Sequence, residues 1–182
     1  MKKAIISMFL LLCANCIFAI SYSPDATLAL SGNFTHFGKE VDPYDNYRSA
    51  LGYELSINPL AIAFDNRRIS FPVSLEYITK SEEIDRTRIQ ERLRFSLELR
   101  FDYILNQYLA LSIEPGLGYT YFKRIDAGSL FLSLSSGPMI MLGRFFSLSL
   151  PFKAIVSAKE VDFELSVALS VYPIGIKKGA TK

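Results

Sequence analysis

From Thr27 to about Ile174 the chain alternates, residue by residue, between large apolar side chains and small or charged ones. The clearest stretch is Leu93-Arg94-Phe95-Ser96-Leu97-Glu98-Leu99-Arg100-Phe101-Asp102-Tyr103. Side chains of a strand point to opposite faces with a period of two. Leu93, Phe95, Leu97, Leu99, Phe101 and Tyr103 therefore share one face, and Arg94, Ser96, Glu98, Arg100 and Asp102 the other. Eight such segments follow one another: Thr27–Phe37, Tyr47–Asn58, Ile69–Lys80, Thr87–Tyr103, Tyr108–Phe122, Ser129–Met141, Phe145–Val156 and Val161–Ile174. Polar or Gly/Pro-containing turn signals separate them, among them Gly38 to Asn46, Pro59 to Arg68, Ser81 to Arg86 and Lys123 to Gly128. No segment keeps a helical apolar period over a helix length. Pro72, Pro115, Pro138 and Pro151 fall inside predicted strands, where they cannot donate to the ladder, and predict bulges or irregular pairing.

Residue size decides which face is inside. The non-bulky face carries Ala29, Ser31, Gly52, Ser56, Ser74, Ser96, Ala110, Ser112, Gly116, Gly118, Ser133, Ser135, Ser149, Ser166 and Ala168. A soluble barrel clothes its outside in long charged side chains rather than serine and glycine. A narrow eight-stranded barrel needs small residues inside. The bulky Leu, Phe, Tyr, Ile and Val face does not fit in such a core, but it does fit lipid. By the same parity Glu54, Glu76, Arg92, Arg94, Glu98, Arg100, Glu114, Lys153 and Glu164 point inward as a network of both signs, with Asp102 and Asp162 beside them. Buried charge is tolerated when it is paired and hydrogen-bonded. Leu97, Leu99, Leu111, Leu132, Leu148 and Leu165 are expected to face lipid. Glu91, near a strand end, is the one charge on the bulky face. Tyr53, Tyr77, Tyr103, Tyr119, Tyr121, Phe34 and Phe71, with Tyr47, can supply interfacial girdles. The predicted fold class is all-β: an eight-stranded antiparallel transmembrane up-and-down barrel.

The 182 residues suffice for one domain. Residues 1–19 read as a cleaved signal peptide: Lys2 and Lys3 form a positive start, Ile5 to Cys13 an apolar stretch, and Ala19 a small residue at the cleavage position. That apolar stretch is too short for a spanning helix. Residues 20–26 read as an N-terminal lead-in, 27–176 as the barrel and 177–182 as a polar tail. Both cysteines, Cys13 and Cys16, lie in the leader, so its removal leaves no disulfide and no thiol site. Acylation of Cys16 would call for a small residue where Asn15 stands. Loss of Lys2 and Lys3 takes 20 basic residues to 18, against 18 acidic ones, a formal charge near zero. No basic field is left for nucleic acid.

Catalytic and metal chemistry finds little support. His36 is the only histidine, and with no cysteine in the mature chain a transition-metal site lacks ligands. The surroundings His36-Phe37-Gly38 do not resemble those of the outer-membrane lipid-A deacylases, which use a Ser–His–Glu set. Glu40, Asp42 and Asp45 lack the spacing of a calcium loop. Gly116-Leu117-Gly118 has no following helix to receive a phosphate. Glu98 and Asp102 share a face, but Arg94 and Arg100 interleave with them, so charge neutralisation is expected instead of acid–base work. No enzyme activity, cofactor or metal is expected.

With leader, alternation and charged small-residue face in view, the chain resembles the small eight-stranded outer-membrane barrels of the OmpA-transmembrane-domain and OmpX/Ail type. The resemblance implies residence in the bacterial outer membrane, both termini periplasmic, outside connections after strands one, three, five and seven, and insertion by the barrel-assembly machinery. It implies outer-membrane lipid as the surroundings of a monomer, and a structural or surface-interaction role whose surface ligand is unnamed. Family members usually finish their last strand with an aromatic residue at the C-terminus. Here the last strand runs Leu169-Ser170-Val171-Tyr172-Pro173-Ile174-Gly175-Ile176, with Tyr172 as the stand-in. Two further readings stay open: a narrow OmpW/opacity-type channel for small or apolar solutes, and a soluble periplasmic ligand-binding barrel. Lumen packing separates the first of these from a plugged lumen.

Overall fold

A computed structural model describes residues 21–38, 47–64, 66–79, 91–123 and 126–175 of the chain. All regular structure among them is β, and the strands are antiparallel throughout. Strand β1 is Asp25–Phe37, preceded by a short Ser21–Tyr22 piece. Strand β2 is Tyr47–Asn58, prolonged by Ala61–Phe64, and β3 is Arg67–Ser70 with Val73–Ile78. Strand β4 is Arg92–Glu98 with Arg100–Ile104, β5 is Leu109–Phe122 and β6 is Ala127–Met141. Strand β7 is Phe146–Ser149 with Phe152–Ser157, and β8 is Glu160–Val171. Each strand pairs with the next, and β8 returns to β1 along the full run from Glu160↔Phe37 to Val171↔Ala26. That last pairing closes an eight-stranded up-and-down barrel and leaves no edge among these strands.

The strand breaks sit where the prolines lie. Pro72 and Pro151 interrupt β3 and β7. Pro115 and Pro138 stay within β5 and β6 and face outward, but the strands opposite them break, at Leu99 and Leu150. The proline carbonyls still serve the ladder: Leu99 N–H donates to Pro115 O (2.9 Å), Leu150 to Pro138 O (3.1 Å), Glu98 to Pro72 O (3.0 Å) and Ser166 to Pro151 O (3.0 Å). Only the donor side is lost, as the proline ring dictates.

Two expectations about boundaries need correction. Pro59 to Arg68 is not a loop: Ala61–Phe64 pairs with Arg67–Ser70, so the β2–β3 hairpin continues past the break at Pro59 and Leu60. Arg68 is thereby in a strand. At the N-terminal side, Asp25 is paired with Asn58, and Ser21–Tyr22 pairs with Ala63 and Ile62. The segments 39–46 and 80–90, with the acidic residues Glu40, Asp42 and Asp45, lie outside the described residues.

The hairpins at the end holding both described termini are short. In the β4–β5 turn Asn106 Oδ1 accepts from the N–H of Tyr108 and of Leu109, at 2.8 and 3.0 Å, an Asx arrangement. The β6–β7 turn needs Gly143 at φ 94°, a region other residues rarely enter.

Candidate functional site: a charged barrel interior

Alternation along each strand sorts the side chains. Outward stand Leu30, Leu55, Leu75, Leu97, Leu111, Leu132 and Leu165, with Leu132 68% exposed. Leu99 and Leu148 hold the same outward register but are half-buried, Leu99 in the gap between the two pieces of β4. Outward aromatics collect toward the two ends. Tyr53 faces Tyr77 across β2–β3, and Leu93 lies between Tyr77 and Tyr121 toward the end carrying the longer connections. Phe71, Phe101, Tyr103, Tyr108 and Phe146 lie toward the hairpin end. The side chain of Tyr47 is not among those described.

Inward, the nine charged residues expected there converge, and the interior divides into three tiers. The upper one, near the longer connections, is held by two arginines of β4. Arg94 donates to Asp162 (2.6 Å) and Glu160 (3.0 Å) of β8 and to Glu76 (3.3 Å) of β3. Arg92 pairs with the other oxygen of Glu160 and donates to Thr35 Oγ1 at 3.0 Å. Hydroxyls complete the shell: Thr120 donates to Glu160 (2.9 Å) and Thr35 to Asp162 (2.7 Å). Above this tier Phe37 and Phe122 meet edge to face at 6.3 Å, both buried, with the Arg92 guanidinium 5.0 Å over the Phe37 ring.

The middle tier is built on Lys153 of β7. Its ammonium lies 2.8 Å from Glu98 and 3.9 Å from Glu54, across the interior. Glu114 and Glu164 border the same space, a cavity of about 40 Å³ that Arg100 also reaches. The lower tier, near the hairpins, is centred on Arg68. It pairs with Asp25, lies 3.0 Å from Asp102 and donates to the Ser23 carbonyl at 2.9 Å. Arg100 Nε donates to the second oxygen of Asp102 at 2.8 Å. Below, Ala110, Met139, Met141 and Tyr172 form an apolar cluster.

Why these residues occupy these positions follows from size. A Cβ on Gly52 would meet Glu76 Oε1 at 2.5 Å and Asn33 Nδ2 at 2.7 Å, and one on Gly116 would meet Ser133 Oγ at 2.7 Å. Long charged side chains from one strand are accommodated only because their neighbours are glycine and serine. Phe131, buried inside, lies over Gly118 on the paired strand in the same way.

Sequence reasoning missed Asp25, Arg68 and Glu160, which complete the ion pairs at both ends, and the inward Phe37, Phe122 and Phe131. Tyr172, the stand-in for a terminal aromatic, points into the barrel. It is fully buried inside, under the Arg68 guanidinium at 5.3 Å, with its hydroxyl 2.9 Å from Ser147 Oγ. Glu91 sits at a strand end, 2.7 Å from the exposed Lys123. Among the described residues no group of three or more His, Cys, Asp or Glu is arranged to chelate a metal.

No family model and no curated protein matches the sequence. Solved structures do. Ail, the attachment invasion locus protein of Yersinia pestis, superposes with a TM-score of 0.54 at 10% identity, covering 84% of this chain and 98% of that one. Neisserial surface protein A gives 0.52 at 10% identity, covering 81% and 96%. The fold is that of the small eight-stranded outer-membrane barrels. At such identity the likeness concerns the fold and nothing finer. The apolar outside and charged inside of this transmembrane barrel are the reverse of a soluble ligand-binding barrel, and that reading falls.

Proposed function

We propose that the chain is a non-catalytic, monomeric, integral barrel of the bacterial outer membrane with a lumen closed by its own side chains, serving a structural or surface-interaction role. The observation that carries the reading is the interior. Guanidinium and ammonium groups of β4 and β7 reach carboxylates across the interior, and the space described between them is about 40 Å³. A few water molecules fit in that volume; a solute path does not. Unpaired, these charges would be costly to hold inside. In pairs they serve as filler and cross-brace. The outward Leu, Phe and Tyr belt supports lipid as the surroundings.

Periplasmic termini and insertion by the barrel-assembly machinery belong to the same reading. Support comes from the hairpin end: its connections, around Asn66, Asn106 and Gly143, are tight, and both described chain ends lie there. Outer-membrane barrels keep short turns on the periplasmic side and longer loops outside. With Tyr172 inward, Val171 and Ile174 are the last outward apolar residues among those described.

Planar-bilayer recording of the purified protein tests the lumen. The expected result is no stable open pore. A large, steady, ohmic conductance from the monomer would refute closure and establish the narrow-channel reading instead.

A further inference from the structure

The middle tier does not balance its own charge. Facing the cavity are the carboxylates of Glu54, Glu98, Glu114 and Glu164, against Lys153 and Arg100. Arg100 is committed to Asp102 in the tier below, at 2.8 Å. Lys153 is committed to Glu98 and, at 3.9 Å, to Glu54. Glu76, the remaining acid of the neighbouring wall, is taken by Arg94. Glu164 is 1% exposed; one of its oxygens accepts from Ser166 Oγ at 2.7 Å, and the other, Oε2, has no partner although it is buried. An ionised carboxylate with one oxygen unsatisfied in a barrel interior is a several-kcal/mol liability.

We propose that this cavity is a binding site for one small monovalent cation of the sodium class, held by Glu164 and by hydroxyls on the cavity wall. Three features fit that occupant. The volume exceeds the roughly 10–15 Å³ that one water-sized particle needs, and a bare proton would leave it unused. The wall besides the acids is hard oxygen, Ser112, Ser149, Ser166 and Thr27 among it, the ligand type that alkali cations take. The carboxylates are not gathered for chelation by three, which disfavours a divalent ion. The bound ion would cancel one of the surplus charges and complete the coordination of Glu164 Oε2.

The test uses the full mature protein refolded in detergent micelles. Urea midpoints are measured in NaCl and in choline chloride at equal ionic strength, and sodium-23 NMR linewidths report binding directly. The expected result is a midpoint that rises saturably with Na⁺, with excess broadening of the sodium line by the wild type. Both effects should be lost in Glu164→Gln and kept in the surface control Glu91→Gln. If Glu164→Gln does not fold, Ser166→Ala, which removes a cavity hydroxyl beside Glu164, replaces it, and the wild-type linewidth still decides. Equal midpoints in the two salts, with a sodium line no broader than in protein-free micelles, would overturn the proposal. So would a choline-salt midpoint raised to the sodium value merely by acidification, because a proton would then supply the missing charge.

Discussion

Removing Arg94 is the sharpest perturbation of the upper tier. Its guanidinium is 2% exposed and reaches three carboxylates, at 2.6, 3.0 and 3.3 Å. After Arg94→Met, Glu160 keeps Arg92 as a counter-charge. Among the described side chains, the hydrogen bonds left are that of Thr35 to Asp162 and those of Ser31 and Asn33 to Glu76, at 3.2 and 3.5 Å. Two carboxylates are thus left buried with neutral donors. Breaking a buried pair from one side costs about 3–5 kcal/mol, and two orphans put this site toward the upper part of that range. At about 1.36 kcal/mol per tenfold, the folding equilibrium shifts by roughly 100- to 5,000-fold. The triple variant Arg94→Met, Glu76→Gln, Asp162→Asn removes the orphaned charges together with the cation, and amides still accept from Thr35, Ser31 and Asn33. Neutral replacement of a whole buried ionic group is often close to neutral in stability, so the triple variant should recover most of the loss. Urea titration of protein refolded in vesicles, with the heat-modifiable band as the measure of folded barrel, reads both. A triple variant as unstable as the single one would refute the account, because the damage would then come from lost shape rather than from unpaired charge.

Other outcomes follow from the two faces and the rim. Leu132→Arg places a charge on the lipid face and should cost about 2–4 kcal/mol near the midplane, whereas Ser133→Ala, which deletes a buried hydroxyl oxygen with no partner, should be neutral or slightly stabilising by the same urea assay; equal losses would invert the assigned polarity. At the rim, the hydrogen bond and charge of Glu91 hold the Lys123 ammonium above the ordinary lysine range. The charged form is favoured by folding, so this contribution is complete below the ordinary lysine value and fades as pH rises through the raised one. Glu91→Gln should bring the Lys123 titration back down, followed by NMR of the side-chain nitrogen, and an unchanged titration would remove Glu91 as the cause.

Parity carried most of the interior because it is a local property. Once Leu97 is outward, Glu98 is inward whatever the barrel's size or stagger. The same rule already contained the residues that were missed. Leu169 and Val171 are outward, so Tyr172 must be inward. Phe131 between Leu130 and Leu132 and Phe37 three positions beyond Phe34 obey it too. Asp25, Arg68 and Glu160 escaped for a different reason. Each stands next to polar or proline-containing sequence, Pro24, Asp65-Asn66-Arg67 and Ala158-Lys159, that reads as turn, so the alternation was stopped short of them.

Partner identity was beyond reach for a reason that is geometric. Arg94 and Glu160 are 66 residues apart, Arg92 and Glu160 68, and Lys153 meets Glu98 from the far wall. Which carboxylate an arginine meets across a barrel depends on the accumulated stagger of every intervening strand pair. The breaks opposite Pro115 and Pro138 keep the register, since Glu98↔Gly116 resumes as Phe101↔Ile113 and Met139↔Ser149 follows on Ser136↔Phe152, whereas between Ile57↔Val73 and Ala61↔Ser70, beside Pro59 and Pro72, β2 carries one extra residue. A one-residue slip at any of them would turn the following side chains to the other face. The outward apolar residues and inward charges penalise such slips from both sides. The ion pairs add a further penalty, because an arginine carried along its strand would leave the carboxylates of its tier unpaired. The interior charges therefore specify register as well as fill space, and the paired tiers at the two ends, Arg92 with Arg94 above and Arg68 with Arg100 below, fix it on both sides of the proline breaks.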